Sequence, residues 1–144
     1  MTTQDHINQA REVVSKLHKD LGEKIHFDKN ALRECQEAWG FKSNDCYVVM
    51  DYEVVTLYSG KSNTSIEMRL AQSSKGIWKQ SAFCSLSDKG YSYPITLLSL
   101  QAYNSREEAE RAARADIVQY LKKQEGQDAL INASQPRTIQ LELI

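Results

Sequence analysis

Apolar residues spaced three and four positions apart predict an amphipathic helix from Thr3 to Leu21, with Gly22 as its end. The apolar seam of this helix consists of Ile7, Ala10, Val14, Leu17 and Leu21. A second helix is predicted after Asp28, which is a favourable N-cap residue, and Gly40 is a favourable stop. Its apolar stripe consists of Leu32, Cys35 and Trp39.

Period-two alternation then replaces the helical period and predicts strands, because successive side chains of a strand point to opposite faces. The four predicted strands are residues 47–58, 66–70, 77–86 and 93–103. In the first, we expect even-numbered residues such as Val54 to face the core, and Asp51 and Glu53 to face solvent. Because the turns between strands are short, an antiparallel four-stranded meander follows.

A capping box predicts the start of the last helix, since the Ser105 hydroxyl can accept from the Glu108 amide while the Glu108 carboxylate reaches back to the Ser105 N–H. The helix should run from residue 106 to about 124 and pack across the inner face of the sheet. Its predicted inner face carries Ala109, Ala112, Ala113, Ile117, Tyr120 and Leu121. Residues 138–144 alternate again and predict a C-terminal strand at the sheet edge.

The predicted fold class is therefore α+β, with two N-terminal helices, an antiparallel four-stranded meander, one long helix packed across the sheet and a C-terminal edge strand. We expect one domain over residues 1–144, since this length and a composition of 41% hydrophobic and 26% charged residues suit one globular core. Lys plus Arg number 18 against 19 for Asp plus Glu, which gives no positive field for nucleic acid or anionic lipid.

The chain is expected to be cytoplasmic and not membrane-bound. No apolar run approaches the roughly 18 residues of a membrane helix, and residues 1–5 lead into a charged helix without an apolar secretory core. Cys35, Cys46 and Cys84 are odd in number and include no C-x-x-C pair, which is typical of reduced thiols.

Candidate chemistry is sparse in this sequence, and we predict no catalytic residue, no metal site and no cofactor. Residues 60–62 form a Gly-Lys-Ser triplet, but the first glycine of a phosphate-binding loop is missing and a strand follows, so a hairpin turn is the preferred interpretation. His18 and His26 lack the close ligand spacing that zinc requires. An enzyme using Cys84, Cys46 or a histidine in a cleft stays open as an alternative.

The run from Ser105 to Ala113 resembles the start of the last helix of double-stranded RNA-binding domains, which also place a helix and a meander before it. The resemblance covers about a third of the chain and implies a nucleic-acid-binding alternative. Where that family has lysines that contact phosphates, this chain has Glu107, Glu108 and Glu110, and it also has one strand more. Membership is therefore not assigned.

The leading functional hypothesis is a small protein-binding protein, such as an adaptor, an inhibitor, an immunity-type protein or a chaperone-like protein. The predicted partner surface combines Ile7, Val14 and Leu17 of the first helix with Glu107 and Glu110 of the last. The seam of the first helix has three interpretations: packing on its own domain, which is preferred, pairing with a second copy as a homodimer, and binding another protein.

Overall fold

The structure is a computed structural model that describes residues 1–61, 63–87 and 89–125. Its helices are α1 (Thr3–Leu21), a 3-10 helix (Gly22–Phe27), α2 (Lys29–Trp39) and α3 (Arg106–Glu125). Its strands are β1 (Glu53–Ser59), β2 (Ser65–Gln72), β3 (Trp78–Leu86) and β4 (Lys89–Ser92). The predicted C-terminal strand, residues 138–144, lies outside the described residues.

Both N-terminal helices begin and end where the sequence predicts. Thr2 and Asp5 form a reciprocal capping box at the start of α1, and Gly22 ends the helix. The Asp28 carboxylate accepts from the Ala31 amide at 2.9 Å at the start of α2. Gly40 follows α2 with φ 82°, a left-handed conformation that glycine adopts without steric cost.

The four strands form one antiparallel sheet in the order β1-β2-β3-β4, which confirms the predicted meander. The first strand, however, is Glu53–Ser59 and not residues 47–58. Tyr47 has φ 66°, a left-handed value that a strand does not contain, and the Val49 amide donates to Ile95 at 2.9 Å. Residues 47–49 therefore pair with a later loop instead of with β2.

The predicted strand over residues 93–103 is wrong, because the fourth strand is the short segment Lys89–Ser92. Pro94 lacks the N–H that a regular ladder needs, and the chain beyond it makes only isolated bridges through Thr96 and Tyr103. Gly90, which falls between the predicted strands 77–86 and 93–103, lies inside β4. Residues 93–103 instead cross beside the free part of β3.

Two hydrophobic clusters lie on opposite faces of the sheet. The helical cluster joins α1 and α2 to the sheet through Ala71 and Ile77, together with residues of the irregular segments such as Leu97. The sheet cluster packs α3 on β2 and β3, and its buried members are Ile66, Met68, Ala82, Cys84, Leu86, Ala113, Ile117 and Leu121. Since odd and even positions of β2 face opposite sides, Ala71 faces the helical cluster while Ile66 and Met68 face the sheet cluster.

The last helix packs across the sheet as predicted, with Ala109 and Ala113 fully buried. The Glu108 amide donates to the Ser105 hydroxyl at 3.2 Å, which confirms the cap. The Glu108 carboxylate accepts from the Asn104 amide at 2.9 Å, one residue earlier than the predicted Ser105 N–H. No helix among the described residues is long and apolar enough to cross a membrane.

Candidate functional site at the edge of the sheet

The apolar residues proposed for a partner surface on α1 lie against the chain's own core. Ile7 and Val14 are buried in the helical cluster, and Leu17 is half-buried against it. This placement agrees with the preferred interpretation, in which the α1 seam packs on its own domain. A partner reaching these side chains would have to displace α1 from α2.

Glu107 and Glu110 lie on α3, where both line one open concavity of about 640 Å3 along the flank of the helix. Glu107 is exposed, whereas Glu110 is half-buried and accepts from the Arg106 Nε at 2.8 Å. The structure therefore brings the two glutamates to one concavity, whereas Ile7, Val14 and Leu17 belong to the helical cluster and do not line it. The same concavity is lined by Arg111, Arg114 and Val118.

This flank of α3 adjoins β1. Arg106, the first residue of α3, donates to the Glu53 carboxylate at 2.7 Å, and Glu53 is the first residue of β1. The hydrogen bonds from Arg106 lower the pKa of Glu53, so the carboxylate remains charged and paired at neutral pH. The Arg106–Glu53 ion pair holds the first turn of α3 beside the start of β1.

β1 is an edge strand, since it pairs with β2 on one side and has no strand partner on the other among the described residues. Residues 54–59 contain no charged side chain and no proline. Val54 and Thr56 are exposed on the face away from α3, and Val54 retains 46% of its surface. These features leave the backbone groups of a seven-residue edge open to another strand.

The face of β1 toward α3 carries a row of half-buried apolar side chains. Val55, Leu57 and Tyr58 pack at the margin of the sheet cluster together with Val118 of α3. A register shift between Thr56 and Tyr58 turns both Leu57 and Tyr58 toward this face. The sequence therefore misplaced Val54 as a core residue, since strict alternation cannot reveal a bulge.

Lys79 is the most unusual ionisable group in the described interior. Its side chain lies on β3 at 2% exposure, and its Nζ donates to the Ser99 and Gln101 carbonyl oxygens at 2.9 and 2.8 Å. The same Nζ lies 4.0 Å from the centre of the Trp39 ring. These contacts favour the ammonium, but burial dominates and, with Arg11 nearby, lowers the pKa of Lys79 to about 7.

The Lys79 amine is better explained as a structural hydrogen-bond donor between two segments than as a reactive amine. A small cavity of about 200 Å3 lies beside it, between β3 and the segment that contains Tyr93 and Thr96. Both hydrogen bonds of the amine tie β3 to the main chain of that segment, which otherwise has little regular pairing. One signal was available in the sequence, since Lys79 shares the inward strand phase of Ile77.

Two of the three cysteines are buried. Burial raises the pKa of Cys35 to about 11 and that of Cys84 to about 12, so neither is a thiolate. Cys46 is exposed, and all three thiols are free. Within the described ranges, no cluster of three or more His, Cys, Asp or Glu side chains is arranged to hold a metal ion.

No protein-family model, no curated protein and no solved structure matches this chain. The features of the described residues that bear on function are therefore the β1 edge and the adjoining flank of α3.

Proposed function

We propose that this chain is a small cytoplasmic protein-binding module without catalytic activity, and that it binds an extended segment of another protein along the open edge of β1. Such a segment would add a strand to the sheet, with main-chain hydrogen bonds providing affinity and alternate side chains providing specificity. The partner side chains facing α3 would contact Leu57 and Val118, which are the half-buried apolar groups at this margin.

The observation that carries the proposal is the seven-residue length of β1 together with the absence of charged side chains and proline from residues 54–59. Edge strands are commonly guarded by a lysine, a proline or an inward-pointing charge. β1 has none of these between Val54 and Ser59, and its terminal Glu53 is already paired with Arg106. The three free thiols support a reducing compartment, and hence the cytoplasm.

In-cell photo-crosslinking tests this location directly. A photoreactive amino acid replaces Val54 or Thr56, both of which are exposed at the edge, and the cells are irradiated. We expect covalent adducts with a different protein from both positions. Matched controls carry the same group at Glu12 of α1 or Glu37 of α2, which are equally exposed but distant in the fold, and should give none.

A second variant separates edge pairing from mere proximity. Thr56→Lys places a charge on the edge without contact with either hydrophobic cluster, so the protein should fold normally and lose the adduct formed at position 54. Adducts at Glu12 but not at the edge would place the partner on α1 and overturn the proposal. An adduct with twice the mass of the chain would identify a second copy and would overturn it as well.

A further inference from the structure

A small polar cavity lies between β3 and the irregular segment that follows β4. It has a volume of about 200 Å3 and is lined by Lys79 and Gln80 of β3 and by residues between Tyr93 and Tyr103. Lys79 is 2% exposed and Gln80 is 7% exposed, so both side chains belong to the interior. One water molecule takes about 30 Å3 of liquid, and the cavity therefore has room for a small organic ligand.

The Lys79 amine has no ion-pair partner among the described residues. The carboxylate of Asp116 in α3 accepts from the hydroxyl of Tyr93, a lining residue, at 2.5 Å and makes no ion pair with Lys79. Arg11 of α1 adds a second positive charge to the surroundings of the amine. Because a buried charge without a counter-charge is costly, these surroundings favour an anion in the cavity.

Several hydrogen-bond donors belong to residues that line the same cavity. Lys79 uses two of its three N–H groups on the carbonyl oxygens of Ser99 and Gln101, so one remains for a ligand. The hydroxyl groups of Thr96 and Ser99 each accept from the main-chain amide two residues later at 3.2 Å. Each hydroxyl keeps its own proton for donation. One ammonium and two hydroxyl groups form a donor set that suits a carboxylate.

We propose that this cavity binds a small monocarboxylate, whose charged end accepts from the Lys79 amine and from the hydroxyl groups of Thr96 and Ser99. One uncompensated ammonium matches one negative charge, and the two oxygens of a carboxylate can accept from several donors at once. Pro94 and Tyr103 also line the cavity and would contact the short apolar remainder of the ligand. The site is separate from the β1 edge, since its described lining residues belong to β3 and the segment after β4.

Occupancy of this site should be coupled to a proton on Lys79. Burial, together with the charge of Arg11, lowers the pKa of the amine to about 7. A bound carboxylate favours the ammonium and raises this pKa, so binding above pH 7 takes up a proton.

The other titratable groups around Lys79 stay neutral over the same range. Burial raises the pKa of Cys35 in α2 to about 11, and burial also raises the pKa of Tyr93. The affinity for a carboxylate should therefore level off below pH 7 and fall about tenfold for each pH unit above it.

A titration of the full chain with sodium acetate, followed by amide shifts in NMR spectra at constant ionic strength, tests the site. We expect saturable shifts at Thr96, Ser99 and Gln101, and a dissociation constant about tenfold higher at pH 8 than at pH 6. Sodium chloride and sodium phosphate are titrated in the same way at pH 6 and should not saturate these shifts.

Three variants assign the binding to the amine. Lys79→Met should abolish the acetate shifts, but it also removes two hydrogen bonds that hold the fold. Gln101→Glu keeps the amine and adds a carboxylate at the cavity, so this variant should stay folded and lose acetate binding. Lys75→Met is the matched control, because the Lys75 amine donates to the Ala38 carbonyl oxygen outside the cavity, and it should bind acetate like the parent.

The contrary outcomes are distinct. The same shifts with chloride as with acetate would overturn the site, and tighter binding of phosphate than of acetate would overturn the monocarboxylate as its ligand. Equal acetate affinity at pH 6 and pH 8, or binding that survives in Lys79→Met, would overturn the role of the ammonium. None of these results bears on the β1 edge, which crosslinking from positions 54 and 56 tests by itself.

Discussion

At the scale of single residues, Lys79 shows how a charged side chain can connect elements that have few other contacts. Its carbon chain crosses the interior beside Trp39, and its amine joins β3 to the carbonyl oxygens of Ser99 and Gln101. Here a side chain supplies donors to two main-chain carbonyls of a segment that makes only isolated bridges to the rest of the chain. The Lys79 amine therefore replaces some of the hydrogen bonds that a regular strand would make to this segment.

The depressed pKa of Lys79 predicts a specific pH dependence of stability. The folded-state value of about 7 lies below the ordinary 10.5, so the unfolded chain binds more protons between these values. The contribution of Lys79 to the free energy of unfolding should rise with pH in this window, by up to about 1.4 kcal/mol per pH unit. Chemical denaturation of the parent and Lys79→Met from pH 7 to 9 measures it.

The stability of the parent relative to Lys79→Met should therefore rise with pH, because only the parent gains stability from this residue. Ile77→Val is the control, since it alters a buried neighbour without a titratable group and should lower stability by the same amount at each pH. Parallel curves for the parent and Lys79→Met would show that the buried amine keeps an ordinary pKa.

At the scale of elements, the sequence predicted the helices closely and the strands only in part. Helix ends are set by local chemistry, such as the Asp28 cap and Gly40, which can be read from a few adjacent residues. Strand ends depend on distant partners. Tyr47 and the segment from Tyr93 onward both contain suitable β-forming residues, yet they pair with each other through isolated bonds because of backbone conformation and Pro94.

The β1 edge shows the same limit on what sequence can predict. Glu107 and Glu110 were chosen for their charge, and they do line the flank of α3 beside β1. Val54, however, was assigned to the core, since the bulge that turns Leu57 and Tyr58 inward leaves no mark in the alternation. Exposure of an edge is a property of the whole sheet order and has no local sequence signal.

The packing of α3 predicts different responses at two adjacent alanines. Ala113 is fully buried against the sheet, so Ala113→Leu should overpack this contact and cost about 1 to 3 kcal/mol. Ala112 is half-buried at the side of the helix, and Ala112→Leu should change stability by no more than about 0.5 kcal/mol. Denaturant midpoints test the pair, and equal losses would mean that α3 is rotated from its described orientation.

At the scale of the whole molecule, the sheet separates two clusters that are assembled from different parts of the chain. The helical cluster uses α1, α2 and the irregular segments before Tyr103, whereas the sheet cluster depends on α3. α1 makes its element contacts with α2 and the 3-10 helix. The seam of α1 is therefore an internal packing surface in this structure, and its energetic role can be tested apart from binding.

Truncating the α1 seam should lower stability without changing apparent mass. Val14 is fully buried, so Val14→Ala should lower the free energy of unfolding by about 1 to 4 kcal/mol. Leu17 is half-buried, so Leu17→Ala should lower it by less. Denaturation measures the first effect, and light scattering on the folded variants measures mass. A double variant of unchanged stability but half the parent's mass would instead favour the homodimer interpretation.

The unequal lengths of the two sheet edges limit how copies of this protein can polymerise. An open-ended filament requires one edge of each copy to add to the opposite edge of the next. Here β1 offers seven residues but β4 only four, and the bulge in β1 increases local twist where a flat continuous ribbon would need to form. Strand addition at β1 should therefore stop after one partner, so the exposed edge can serve recognition at low risk of fibre growth.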